Sequence, residues 1–158
     1  MSRAATRREM TADFPLAMRD MLAQLTSFNQ YVGGPLGLNS IEYLCVDLIS
    51  RHEPITPGRL AVMCGLRPAT ITGVLDRLEA AGWIRRERDD RDRRRVFVHA
   101  RHERASELGH RLGGMRRALR EISEGYNDEE LALILDFLTK VSEAGKNQTA
   151  VLQSADRS

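Results

Sequence analysis

The spacing of proline and glycine between residues 56 and 82 constrains this chain more than any other feature. Thr56 and Pro57 open a short helix, because threonine caps helices and proline is tolerated in the first turn. Gly65 ends that helix, and Pro68 begins a longer one that stops at Gly82. An amphipathic helix is also predicted at residues 39–52, with Asn39 and Glu42 as its capping box. Together with that helix, the spacing predicts a helix-turn-helix.

The last of these helices has two different faces. Its apolar stripe consists of Leu66, Ile71, Val74, Leu75 and Leu78. Its outward face consists of Arg67, Pro68, Ala69, Thr70, Thr72, Gly73 and Arg77. Small side chains near a helix N-terminus permit a close approach to base edges, and the helix dipole there favours phosphate. Taken alone, the pattern fits an ordinary surface helix equally well.

The next segment favours a nucleic-acid partner. Residues 83–88 and 94–100 are predicted to be the two strands of a hairpin. The intervening loop, residues 89–93, mixes aspartate with arginine, so its carboxylates can brace a projecting guanidinium. A braced arginine suits the narrow, electronegative minor groove of DNA. A solvated run of charge is the alternative explanation.

Composition sets wider bounds. The 158 residues, 42% apolar and 29% charged, suit a folded soluble domain. The net charge of +2 does not itself indicate nucleic acid, but seven of the 22 arginines lie within residues 85–95. No apolar run reaches the roughly 18 residues that span a bilayer, and the basic N-terminus leads into no apolar signal core. We therefore expect a cytoplasmic protein without membrane contacts.

Long helices are predicted on both sides of the helix-turn-helix, and the first of them is expected to have Asp13 as its cap and Pro15 in its first turn. Apolar residues recur at steps of three and four over residues 14–32, 105–122 and 131–141, and Gly113-Gly114 suggests a bend in the second run. These stripes exceed what a small winged domain needs, so we expect a two-fold dimer. The predicted organisation is a flexible tail at 1–12, a dimerisation region at 13–38 and 101–146, a DNA-binding domain at 39–100 and a second flexible tail at 147–158.

With these elements placed, about residues 14–145 resemble the multiple antibiotic resistance regulator (MarR) family in element order. The most specific segments are residues 75–86 and 89–96. The resemblance implies a mainly α fold with a small β-hairpin wing, in which a winged helix-turn-helix is flanked by long dimerisation helices. One departure is Ala100-Arg101, which stands where the family usually has a Leu-Thr pair that caps the next helix.

The resemblance also implies roles in DNA binding. The fourth helix would enter the major groove and the wing arginine the minor groove, with Asp92 as the brace and Arg94 as the probe. Arg77 matches a recognition-helix arginine. The expected contacts are Arg67, Pro68, Ala69, Thr70, Thr72, Gly73, Arg77, Arg91, Asp92, Arg93 and Arg94. The implied function is that of a dimeric transcription regulator that binds a near-palindromic operator, and we expect it to be a repressor.

A small-molecule effector is a further expectation from the resemblance, which implies a pocket between the dimer helices and the winged domain. Its candidate lining residues are Met21, Leu25, Phe28, Tyr31, Tyr43 and His52. Each of them is also explained by ordinary core packing. An effector would act through its different affinities for two arrangements of the recognition helices.

Other functions are less consistent with the sequence. A winged-helix module for protein contacts, in which the basic wing meets an acidic partner, stays open. No phosphate loop, nucleophile elbow or strong metal motif indicates an enzyme or a cofactor. Thiol sensing is disfavoured because no cysteine lies between residues 13 and 33, and Cys64 is a better candidate than Cys45. Metal sensing would draw on His99, His102, His110, Glu103, Glu107 and Glu42. These residues lack the HxxxH spacing of a metal site, and a solvated face explains them better.

Overall fold

A computed structural model describes residues 6–90 and 92–155, with the side chain of Met10 excepted. Seven α-helices and one hairpin follow each other along these residues. The helices are α1 (Arg7–Gly33), α2 (Ser40–His52), α3 (Pro57–Cys64), α4 (Pro68–Ala80), α5 (His102–Arg111), α6 (Gly113–Ser123) and α7 (Asp128–Ala155). The strands are β1 (Ile84–Arg88) and β2 (Val96–Ala100), and a 3₁₀ turn spans Gly34–Leu36. The chain divides into two compact units after Tyr43, within α2.

Helix α1 begins earlier than the sequence predicted. The prediction of a flexible tail through residue 12 and a helix cap at Asp13 does not match the structure, in which the helix starts at Arg7. Thr6 and Glu9 form a capping box, with each side chain bonded to the backbone of the other residue. Pro15 therefore lies inside the helix instead of in its first turn.

The predicted caps of the next helices are confirmed. The Asn39 side chain accepts the Glu42 N–H at 2.9 Å, and the Glu42 carboxylate accepts the Asn39 N–H at 3.1 Å. Thr56 caps α3 through the Arg59 N–H. Gly65 then adopts φ +64°, a left-handed conformation that favours glycine and turns the chain toward α4.

The second unit, described for residues 44–90 and 92–155, has a core built from the helix-turn-helix and the hairpin. Its fully buried large side chains are Cys45, Val46, Ile49, Ile55, Leu60, Ile71, Leu75, Leu78, Trp83, Ile84 and Val98. The strands pair antiparallel, with Ile84 opposite Ala100 and Arg88 opposite Val96. Ile55 adds a short bridge to Val98, so the segment between α2 and α3 is also held to the hairpin.

The last third of the chain differs from its prediction in two places. The run after the hairpin breaks into α5 and α6 at Leu112, next to the two glycines that suggested a bend. Helix α7 continues to Ala155, where the sequence predicted a flexible tail from residue 147. The Gln153 side chain donates to the Gly65 carbonyl, a tertiary contact that holds these last turns and that helix propensity alone does not predict. No helix among the described residues is both long and apolar enough to cross a membrane.

Candidate nucleic-acid interface

Helix α4 turns a polar face outward from its N-terminal end. Arg67, Pro68, Ala69, Thr70, Thr72 and Arg77 are exposed, and Gly73 is half-buried. The buried stripe of this helix consists of Ile71, Val74, Leu75 and Leu78. The helix is therefore anchored by one side and leaves the predicted contact face open. This arrangement follows from the alternation of small polar and apolar residues at helical spacing.

The N-terminal turn of α4 is suited to an anion. Arg67 occupies the cap position without a side-chain cap bond, and Pro68 occupies the first turn. The first amide groups of a helix lack partners within the helix and carry a partial positive charge. The Thr72 hydroxyl donates to the Pro68 carbonyl at 3.1 Å, so in this rotamer its oxygen is left to act as an acceptor.

The tip of the hairpin is ordered by Asp92. Its carboxylate accepts the Arg94 N–H at 3.1 Å, and its carbonyl accepts the Arg95 N–H at 2.8 Å. A second carboxylate oxygen lies 3.7 Å from Nε of Arg95. The predicted bracing by Asp92 thus acts on the backbone of Arg94, while the side chains of Arg93 and Arg94 are exposed. Arg91 lies outside the described residues.

Arg86 fixes the hairpin relative to α4, a role that no sequence motif indicated. Its guanidinium donates to Asp76 at 2.6 Å and to Glu79 at 3.2 Å, and its backbone N–H donates to Glu79 at 3.1 Å. A longer bond, at 3.5 Å, reaches the Thr72 carbonyl. Because Asp76, Glu79 and Thr72 all belong to α4, one side chain on β1 sets the orientation of wing and helix.

Two further contacts tie the base of the wing to its surroundings. The Glu53 carboxylate accepts the Ala100 N–H at 2.8 Å, although the two residues are 47 positions apart. The Arg104 guanidinium lies 4.8 Å from the centre of the buried Trp83 ring, a cation–π arrangement between α5 and the start of the hairpin. No short sequence signal pointed to either contact.

The electrostatics of the hairpin combine both signs of charge. Arg85 forms an ion pair with Glu87 on the same strand. The hydrogen bond and the charge of Arg85 hold the pKa of the Glu87 carboxyl below its usual range. His99 lies 3.6 Å from the same carboxylate. Within the described residues, no three histidine, cysteine or acidic side chains come together where they could hold a metal ion.

The residues predicted to line an effector pocket lie in different environments. Tyr31 is 80% exposed, and Met21 and Leu25 on α1 are also exposed. Phe28 and His52 are half-buried, whereas Tyr43 is buried. The pocket remains a prediction.

A helix-turn-helix followed by an arginine-rich hairpin defines the winged helix-turn-helix class of proteins. Residues 38–96, which run from just before α2 to the first residue of β2, match the model of the MarR family. Through this domain, the chain is similar to the MarR family of transcriptional regulators. The fold class predicted from the sequence is thereby confirmed.

Relatives extend the likeness beyond the winged domain. An uncharacterized HTH-type transcriptional regulator, YcgE of Bacillus subtilis (strain 168), is 28% identical over 143 residues, which is 90% of this chain and 93% of YcgE. The HTH-type transcriptional repressor YetL of the same organism is 26% identical over 108 residues, 68% of this chain and 65% of YetL. Streptococcus pneumoniae FabT, solved in complex with DNA, has the same fold at a TM-score of 0.68 and 19% identity, covering 87% of this chain and 99% of FabT.

Proposed function

We propose that the protein is a homodimeric repressor that binds a near-palindromic DNA site through α4 and the wing of each subunit. The observation that carries the proposal is the joint anchoring of the two contact elements. The exposed face of α4 and the Asp92-ordered wing tip project from one core, and Arg86 links them. A fixed spacing between helix and wing is what simultaneous contact with adjacent major and minor grooves demands.

Each element has its own task in this proposal. Thr70 and Thr72 present small polar groups to base edges, and Arg67 and Arg77 approach the phosphates beside them. Arg94, held at its backbone by Asp92, inserts its guanidinium into the minor groove. Arg91 and Arg93 add positive charge around the tip. Several such phosphate contacts make the affinity fall steeply with salt.

Exposed apolar side chains on the outer helices support the dimer. No residue of α7 or α6 is buried in the single chain. Leu133, Leu135, Leu138, Val151 and Leu152 of α7 are exposed, as are Leu119 and Ile122 of α6 and Phe14, Leu16 and Leu22 of α1. An exposed apolar surface of this extent calls for a partner. Two-fold pairing places two recognition helices about 34 Å apart, one turn of DNA, and so selects a near-palindrome.

Repression follows if the dimer occupies a promoter, and the name of the relative YetL supports this direction. A small molecule would release the DNA if it binds more tightly to a dimer in which the spacing of the recognition helices does not fit the DNA. The proposed location for that molecule is the predicted pocket around Phe28 and Tyr43.

The test begins with a random pool of DNA duplexes, from which the purified full-length protein selects its site. Arg94→Ala should weaken binding to the selected duplex by about tenfold or more, since one good base or groove contact contributes about 1–3 kcal/mol. It should also make the salt dependence shallower, by about one unit in the slope of log K against log salt. Fluorescence anisotropy over a salt series measures both quantities.

Arg120→Ala is the matched control, because it removes an exposed arginine from α6, outside the proposed DNA contacts. It should leave the affinity within about twofold of the original, which is less than 0.5 kcal/mol. If the protein selects no duplex and shows no salt-sensitive DNA binding at low ionic strength, the proposal fails. The winged domain would then be better explained as a module that binds an acidic protein.

A further inference from the structure

Two thiols meet inside the helix-turn-helix. Cys45 lies on α2 and is fully buried, and Cys64 is the last residue of α3 and is half-buried. Their Sγ atoms are 3.7 Å apart. A disulfide bond requires about 2.05 Å between the sulfurs, so a shift of about 1.7 Å joins them. The fold thus brings together two cysteines whose spacing in the sequence indicated no pair.

Cys64 can be reached by a small molecule. It lines a cavity of about 540 Å³ between the end of α3 and the last turns of α7. Val62 and Met63 contribute an apolar part of the wall, and Lys146 and Gln153 contribute a polar part. Cys45 does not line this cavity and has no exposed surface. A reagent entering the cavity therefore meets Cys64 first.

The contact between the sulfurs also favours the thiolate form of Cys64. A hydrogen bond from Cys45 lowers the pKa of the Cys64 thiol, against an opposing effect of burial. The thiolate is the form that attacks an oxidant, so a lower pKa increases the reactive fraction near neutral pH. Among the described residues that line the cavity, Lys146 is the one with a charged side chain.

We propose that Cys64 and Cys45 form a peroxide-reactive pair, in which a hydroperoxide oxidises Cys64 and Cys45 then closes an intrachain disulfide that weakens DNA binding. The effect on DNA rests on the proposed function, whereas the chemistry of the pair does not.

The reaction has two balanced steps. The Cys64 thiolate attacks the terminal oxygen of the hydroperoxide, an S–O bond forms, the O–O bond breaks, and the departing alkoxide takes a proton to become an alcohol. Cys45 then attacks the sulfur of the Cys64 sulfenic acid, the S–S bond forms, the S–O bond breaks, and hydroxide leaves with the Cys45 proton as water. Two thiols lose two electrons in total, and the hydroperoxide gains them.

The consequence for α4 follows from the position of Cys64. The next residue, Gly65, is the turn between α3 and α4, and its carbonyl is held by Gln153 of α7. Pulling the Cys64 sulfur toward α2 while Gly65 is held strains this turn. Helix α4 begins three residues later, at Pro68, so the strain is transmitted to the proposed contact face.

The first experiment tests the chemistry on the full-length protein. The reduced protein is treated with hydrogen peroxide in one arm and cumene hydroperoxide in the other, and its peptides are then mapped by mass spectrometry without reduction. The expected product is one Cys45–Cys64 cross-linked peptide within a single chain, lighter by two hydrogen atoms and reversed by dithiothreitol. The two arms decide whether the cavity prefers a small or an aromatic hydroperoxide.

Variants assign the two roles. Cys45→Ser keeps a hydrogen-bond donor next to Cys64 but cannot resolve the sulfenic acid, so Cys64 should accumulate a dimedone adduct. Cys45→Ala removes the donor, and its adduct should form about threefold or more slowly, because the pKa of the Cys64 thiol rises and less of it is thiolate. Cys64→Ser should form neither product. Circular dichroism establishes that each variant is folded. If substitutions at the buried Cys45 prevent folding, Cys64→Ser still tests the proposal.

The second experiment measures binding to the duplex selected by the reduced protein. Oxidation should weaken binding by about tenfold, within the range of ordinary allosteric coupling, and dithiothreitol should restore it. Cys64→Ser should bind within about twofold of the reduced protein, with or without peroxide. Over-oxidised Cys64 without a cross-link, or a disulfide only between chains, overturns the chemistry. A cross-link that leaves the affinity for DNA unchanged overturns the proposed effect of the disulfide on DNA binding. A reduced protein that binds no DNA contradicts the proposed function but not the chemistry of the cysteine pair.

Discussion

Arg86 shows how one side chain can determine the geometry of a recognition surface. Its side chain is only 26% exposed, and its guanidinium contacts two carboxylates of α4, Asp76 and Glu79. By contrast, the neighbouring Arg85 is half exposed and pairs with Glu87 on its own strand. Since partly buried, multiply bonded arginines contribute more than exposed pairs, the two residues should differ in their effect on stability.

We therefore predict that Arg86→Met lowers the free energy of unfolding by about 1–2 kcal/mol, because the hydrogen bonds to both α4 carboxylates are lost. Arg85→Met is the matched control and should change it by less than about 0.5 kcal/mol. Urea denaturation followed by circular dichroism measures both. Equal effects of the two substitutions would contradict the assignment of Arg86 as the link between α4 and the wing.

Individual residues also show which features could be predicted from the sequence and which could not. The outward face of α4 could be predicted because 3.6-residue periodicity separates it from the buried stripe. The contact of Glu53 with Ala100 could not, because its partners are 47 residues apart and neither belongs to a motif. Asp92 was predicted to brace an arginine, but only the structure identifies the Arg94 backbone N–H as the group it holds.

At the scale of single elements, helix boundaries differ most from expectation. The sequence predicted the capped starts of α2 and α3 because their signals are local, a polar cap followed by an acceptor or a proline. The early start of α1 was missed because Pro15 suggested a first turn nearby. The Thr6–Glu9 capping box, which begins the helix eight residues before that proline at Arg7, was overlooked.

The first turn of α1 should depend on this box and on pH. Hydrogen bonds from the backbone and hydroxyl of Thr6 lower the pKa of the Glu9 carboxyl below its ordinary value. A lowered carboxyl pKa stabilises the folded turn above the unfolded pKa, and this stabilisation disappears as the pH falls through the folded pKa. We predict that Thr6→Ala, or acidification through that pKa, reduces helicity at residues 7–9.

Cα chemical shifts of residues 7–9, recorded over a pH series, measure this helicity directly. Thr11→Ala is the control, since Thr11 lies inside α1 and its hydroxyl donates to the Arg7 carbonyl without capping the helix. The control should keep the pH dependence that Thr6→Ala loses. Identical titration curves for the unsubstituted protein, Thr6→Ala and Thr11→Ala would show that the capping box does not cause the pH dependence of this helicity.

At the scale of the whole molecule, the winged domain and the outer helices satisfy different requirements. The winged domain buries its own apolar residues, Trp83, Ile49 and Leu75 among them. Helix α7 runs for 28 residues without a buried residue, although its sequence repeats apolar side chains at helical spacing. Periodicity could therefore predict that α7 has an apolar stripe. It could not predict whether the chain or a second copy covers that stripe.

The exposed stripe leads to the last prediction, which concerns assembly. Leu138 lies in the middle of α7 and is 45% exposed in the single chain, so a dimer interface on this face would bury it. Leu138→Glu places a charge there without a partner and should shift the protein from dimer to monomer in sedimentation velocity experiments, because an unpaired buried charge costs several kcal/mol. The monomer should also lose most of its affinity for the selected near-palindrome, since one subunit reaches only one half-site.

Ala132→Glu is the matched control for this substitution. Residue 132 lies about 120° around α7 from Leu138, at 100° per residue, and is therefore off the apolar stripe. Ala132→Glu adds the same charge to the same helix, and the protein should stay dimeric and should still bind DNA. A Leu138→Glu protein that sediments as a dimer would place the interface elsewhere. If the unsubstituted protein sediments as a monomer and still binds the full near-palindrome, the winged domain recognises DNA without a second copy.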